Sequence, residues 1–261
     1  SSLLKIRWSA HGDSPLAMGN TPCGPAAVNH FYKGTVPPGE WGGPWGAPFG
    51  AFCRVLQERQ AFRDLPLDGD GVLHMNVPFC RVFIECAQLL EFFSESLLPR
   101  PGLRGVHIFC CDVDDSFQER WDERQTWATE NYPTVELEFQ CSDLVQEPVP
   151  QAGLTFALHP GPLMYKEDNI TWKKIIRTVL QGVTTEGLCV FTVFNKPELS
   201  IVKKVCAEMG ARTEVLDNPW YKAHPMVCPC FVPFAPCCGV PYLRYLIFVT
   251  WPKPEALPPE K

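Results

Sequence analysis

Between Arg104 and Tyr221 short apolar runs alternate with helical stripes, in the order strand, helix, strand, strand, helix, strand, helix, strand. No other feature constrains the fold as much. A strand that returns through a helix to a parallel neighbour buries both faces of its sheet, so this order predicts an open, mostly parallel α/β sheet with helices on both faces. Val106–Val113 is the continuous apolar run, ending in acids, expected of a buried parallel strand. Ser116 is positioned to cap a helix in which Phe117, Trp121 and Ala128 share a face. Val135–Cys141 and Leu154–His159 follow as strands, and Trp172, Ile175, Ile176, Val179, Leu180 and Val183 form the clearest helical stripe of the chain. Gly187 is read as the end of that unit and Leu188–Phe194 as the next strand. Pro197 opens a further helix that Gly210 closes, and Arg212–Leu216 returns as a strand. A last strand, Tyr242–Trp251, lies beyond a long Cys/Pro-rich loop, and the closing pair it makes is expected to run antiparallel to the rest.

The flanks differ in composition. The chain has 27 prolines and 19 glycines in 261 residues, and residues 1–50 are rich in both, so neither helical nor two-residue periodicity survives there. Trp41, Trp45 and Phe49 make this stretch more aromatic than an ordinary linker. Two readings stand: a loop packed back on its own domain, or an extended arm whose aromatics dock on a partner. Residues 51–65 fit a short helix, Asp68-Gly69-Asp70-Gly71 a turn into a strand Val72–Val77, and Val82 to Leu97 a helix stopped by Pro99-Arg100-Pro101-Gly102. The expected organisation is thus an irregular arm (1–50), an α/β domain (51–251) and a Pro-rich tail (252–261).

A net charge of −6 argues against a broad nucleic-acid-binding face. No apolar run reaches the ~20 residues that span a bilayer, which leaves peripheral association through partners as the only membrane contact expected. The 13 cysteines are an odd number, and Cys86, Cys110, Cys111, Cys141, Cys189 and Cys206 fall within apolar patterns, as buried free thiols would.

The order of elements, with a late strand after a long insertion, resembles the Rossmann-like sheet of class I methyltransferases. Between Gly105 and Val227 the chain also resembles the C-terminal domain of the mitochondrial splicing suppressor family, which often follows a MYND zinc finger. The resemblance rests on Val106-His107-Ile108-Phe109-Cys110-Cys111-Asp112, Trp121, Ala157-Leu158-His159-Pro160-Gly161, Trp172, Phe191-Thr192, Glu198 and Asn218-Pro219-Trp220. No MYND Cys/His array is present, and Trp220-Tyr221-Lys222 departs from the family's aromatic-arginine-serine continuation. The resemblance implies a degenerate methyltransferase-like fold used for interaction or translational regulation. With a first residue other than Met, it also implies a mitochondrial location, a plastid being the alternative.

Methyl transfer from S-adenosylmethionine calls for a glycine-rich turn after the first strand and an acid at the end of the second. Asp112 or Asp114 supplies the acid, whereas Asn76-Val77-Pro78-Phe79-Cys80 has no glycine. Asp112-Val113-Asp114-Asp115 also has the form of a divalent-cation motif, set against plain solvation of a strand end. Cys228, Cys230, Cys237 and Cys238 are four thiols that could hold zinc, although Pro229, Pro233 and Pro236 restrict how the loop wraps; a local disulfide or redox pair and plain packing are the other readings. His159 stands at a strand end, where open sheets place ligands. The expectation from these residues is a protein that is not an enzyme and uses no cofactor, an accessory subunit that binds other protein subunits of an organellar complex. The alternatives are a divergent methyltransferase, a metal-dependent transferase using Asp112 and Asp114, or an organellar translational activator.

Overall fold

The computed structural model describes residues 52–217 and 244–251, apart from 54, 82, 84, 98, 99, 159, 161–168 and 194. Helical turns between residues 52 and 58 (α1) precede β1 (Val72–Pro78) and α2 (Cys86–Phe92), which widens into a π-helical segment at Phe93–Leu97. Then come β2 (Gly105–Asp112), a 3-10 turn (Asp115–Phe117), α3 (Gln118–Asn131), β3 (Val135–Cys141) and β4 (Ala152–Leu158). The chain continues through α4 (Asn169–Gln181), β5 (Val183–Val193), α5 (Lys196–Glu208), β6 (Arg212–Asp217) and β7 (Tyr245–Thr250).

The strands form one seven-stranded sheet in the order β3-β2-β1-β4-β5-β7-β6. All neighbours are parallel except β7, which lies antiparallel between β5 and β6, with Ile247 opposite both Phe191 and Val215. The expected alternation is present, but of the closing pair only β7 runs against the sheet, since β6 is antiparallel to β7 and so points the same way as β5. Chain order reverses between β1 and β4, and this switch point is where an open α/β sheet leaves a crevice at its carboxyl edge.

Each face of the sheet carries its own core. Leu73, Met75 and Val77 of β1 and Val106, Ile108 and Cys110 of β2 point to one side, where α1, α2 and α3 supply Phe52, Phe93 and Trp121. On the other side, Ala157, Cys189, Phe191 and Ile247 pack under Ile176 and Val179 of α4 and Val202 and Cys206 of α5. Each fully buried large side chain of this kind contributes about 1.5–3 kcal/mol.

Local chemistry sets the ends. α4 stops at Gly182, where a Cβ would lie 2.1 Å from Val149 Cγ2. Asn195 caps α5 by accepting the Glu198 N–H at 2.9 Å, and Gly210 (φ +74) ends that helix in the left-handed region.

Several sequence readings need correction. Gly187 does not end a unit: it sits inside β5, where the β4–β5 register shifts and its missing Cβ admits Gly153 O at 3.0 Å. Ser116 is not a cap: it lies inside the 3-10 turn, which Asp114 caps by accepting the Ser116 N–H on its carboxylate at 3.0 Å. The helix expected from Val82 begins only at Cys86. Cys141 is exposed on the edge strand, whereas Cys86, Cys110, Cys111, Cys189 and Cys206 are buried free thiols as expected. Burial pushes Cys86 and Cys206 up to about 12, which leaves them inert as thiols near neutral pH.

Candidate ligand crevice at the switch point

β1 ends in Pro78, which has no N–H to donate, and the turn to α2 begins there. Phe79, Arg81 and Phe83 all take left-handed backbone (φ +48, +50 and +49). For residues other than glycine this costs about 1–3 kcal/mol each and persists only where surrounding contacts dictate it. Those contacts come from two sides. From β2, Cys111 O accepts the Cys80 N–H at 3.0 Å, and Asp112 Oδ2 accepts the Arg81 N–H at 2.9 Å. From α3, Trp121 Nε1 donates to Arg81 O at 2.6 Å and Arg124 Nε to Phe83 O at 3.3 Å. Trp121 is itself fixed by stacking on Phe139 (5.6 Å, 8°).

Asp112, the last residue of β2, is the acid at the centre of this arrangement. It is 8% exposed, and its second oxygen accepts the Asp114 N–H at 3.2 Å. Burial raises its carboxyl above the usual range, against the pull of the Arg81 and Asp114 N–H groups. Asp114 faces away to its own helical turn, so the two acids of the Asp-x-Asp motif do separate jobs. Among the described residues no group of three or more His, Cys, Asp or Glu side chains is arranged to hold a metal. Across the switch point, Phe79 after β1 meets Trp172 of α4 edge-on, with centroids 5.7 Å apart.

Of the candidate site residues read from the sequence, Asp112 lies in this closure and Asp114 caps the turn beside it. His159, the thiols Cys228, Cys230, Cys237 and Cys238, and the aromatics Trp41, Trp45 and Phe49 lie outside the described residues. Phe79 lies in the stretch read as a cofactor turn without glycine, whereas Arg81 and Trp121 belong to the crevice without having been marked as candidate site residues. Pro78 next to a strand end was the available signal, because it stops the ladder and forces a turn.

The strand order and the antiparallel β7 define the class: an α/β, Rossmann-like sheet of methyltransferase type. No family model matches the chain, and no curated protein does. Solved structures do. A TehB-like SAM-dependent methyltransferase from Corynebacterium glutamicum is 13% identical, with 80% of this chain and 98% of that one covered and a TM-score of 0.41. A SAM-dependent O-methyltransferase from Thermotoga maritima is 12% identical, covering 78% and 66%, with a TM-score of 0.48. The [4+2]-cyclase SpnF is 14% identical, covering 76% and 81%, with a TM-score of 0.44. At such identities these are likenesses of fold.

They also correct the expectation that the chain is not an enzyme: most of the structures that share its fold are named as methyltransferases or methylases, so a fold of this type gives no ground for excluding an enzyme. That expectation leaned on the missing glycines. The turn after β1 reaches the left-handed conformation without them, so their absence does not remove the turn. The specific resemblance to the mitochondrial splicing suppressor domain finds no counterpart in these matches, which support the methyltransferase-like sheet in general.

The residues present fit S-adenosylmethionine in kind. Asp112 ends β2, where an acid meets ribose hydroxyls in nucleotide-binding sheets, and each of its oxygens accepts one N–H, the number of donors a vicinal diol supplies. The turn lies closed over that acid.

Proposed function

We propose that the chain is a divergent S-adenosylmethionine-dependent transferase whose ligand crevice lies between the carboxyl ends of β1, β2 and β4. Asp112 is its ribose-binding group, and the turn carrying Phe79 and Arg81 is the part that yields. The observation that carries this reading is the strained, non-glycine turn held on Asp112 at the switch point. Strain of this kind gathers at ligand sites, where exchanging one set of hydrogen bonds for another releases it. Bound there, the cofactor would supply an electrophilic methyl group. This chain's residues would bind it through Asp112 and shield it from water with Phe79 and Trp172.

Calorimetric titration of the full chain with S-adenosylmethionine and S-adenosylhomocysteine tests the reading. Saturable binding that Asp112→Asn weakens tenfold or more, with the circular dichroism unchanged, supports it. No binding at millimolar ligand, about −4 kcal/mol, overturns it. A mitochondrial setting and assembly with other protein subunits through Trp41, Trp45 and Phe49 belong to the same proposal. Native purification from fractionated cells checks them, and a chain that migrates alone and outside the organelle counts against both.

A further inference from the structure

On the far side of the sheet from α1, α2 and α3, two histidines stand side by side near the amino ends of the strands. His74 of β1 and His107 of β2 are register partners. Their Nδ1 atoms are 3.3 Å apart, with the rings nearly perpendicular (80°). Each ring also reaches a carboxylate through its other nitrogen: His74 Nε2 lies 2.8 Å from Asp68 Oδ2 and His107 Nε2 lies 3.1 Å from Glu138 Oε2. Asp68 is fixed in turn, because its other oxygen accepts the Asp70 and Val72 N–H groups at 2.9 and 2.8 Å.

Protons decide what this row means. A carboxylate only accepts, so each Nε2 carries the hydrogen of its ring. Both Nδ1 atoms of the neutral imidazoles are then bare lone pairs facing one another at 3.3 Å, an arrangement that repels unless a positive charge lies between them. A tetrahedral zinc, with Zn–N of about 2.0–2.1 Å, holds two nitrogens about 3.3–3.4 Å apart. Carboxylates on the outer ring nitrogens are also what orients metal-binding histidines and raises their basicity.

We infer that His74 and His107 form a two-imidazole site for a borderline divalent transition cation such as zinc, cobalt or nickel, with Asp68 and Glu138 as its positioning residues. Imidazole suits these ions and not magnesium or calcium. With no third protein ligand among the described residues, the remaining positions belong to water or to an incoming donor, so the site is open. Access exists, since the His74 side chain is 42% exposed and that of His107 22%. The site is separate from the crevice, since Asp112 lies five residues further along β2 than His107, about 16 Å at ~3.3 Å per residue.

The test is a titration of the full chain with cobalt(II), followed by visible absorption and calorimetry, because cobalt bound by thiolates shows an intense charge-transfer band that imidazole ligands do not give. One equivalent bound without that band, weakened tenfold or more in both His74→Gln and His107→Gln, is the expected result. Glu138→Ala should weaken binding about 10–100-fold. Binding should also fade as pH falls, because protons compete for the imidazoles. Nitrogen NMR of the histidines in the unaltered chain keeps the test decisive if a variant fails to fold: zinc must shift both Nδ1 resonances. Unchanged binding in both histidine variants, a thiolate spectrum, or a pair that shares only a proton and ignores zinc overturns the inference.

Discussion

β5 ends at Val193 and α5 begins at Lys196, with Asn195 before it in extended backbone (φ −134) and its side chain accepting the Glu198 N–H. β1 ends at the same edge of the same sheet, yet it stops at Pro78 while α2 begins only at Cys86, whose N-cap Glu85 makes no side-chain cap bond. Left-handed residues and ties to Asp112 and Trp121 take the place of the cap. One turn is stabilised locally, by its own sequence. The other is held in a costly conformation by side chains from elsewhere, and it stands at the switch point, where a ligand would need it to move.

The largest expected effect comes from cutting the tie. Asp112→Ala leaves the Arg81 and Asp114 N–H groups without their acceptor and should destabilise the fold by about 2–3 kcal/mol in urea unfolding. A loss near zero would mean that the turn is not held from β2. Arg81→Gly should act in the opposite direction. The Arg81 side chain is exposed, and glycine tolerates φ +50, so a gain of about 1 kcal/mol is expected. If the variant is less stable, the turn is not strained and the contrast collapses. At the other turn, Asn195→Ala should cost about 1 kcal/mol through the lost cap.

The smallest effect is in pH. Burial raises the folded Asp112 carboxyl above 3.8, so its contribution to stability is fully present below that value and is lost as pH rises through the folded one. The stability of the native chain relative to Asp112→Asn should therefore improve as pH is lowered across that window. Acid titration of both proteins followed by denaturant unfolding reads the difference, and the opposite slope would place the carboxyl below its ordinary value.

Legibility followed the range of the interactions. The strand from Val106 was visible because both of its faces are largely buried, which writes a continuous apolar run into the chain. The α4 stripe was visible for a similar reason, as Ile176, Val179 and Leu180 fall at helical spacing. Asp112 was legible as a strand-end acid, but its partner was not, since nothing local marks Arg81 as the residue whose N–H it receives. The histidine pair was hidden altogether. His74 and His107 sit 33 residues apart, and only the parallel register makes them neighbours.

The sequence by itself determined the succession of strands and helices, because hydrophobic periodicity and capping act over a few residues. Tertiary structure alone decided the order β3-β2-β1-β4-β5-β7-β6, the backbone of the turn after β1 and the meeting of His74 with His107. These depend on contacts between strands distant in the chain. Such contacts can hold Phe79, Arg81 and Phe83 where their own preferences would not put them.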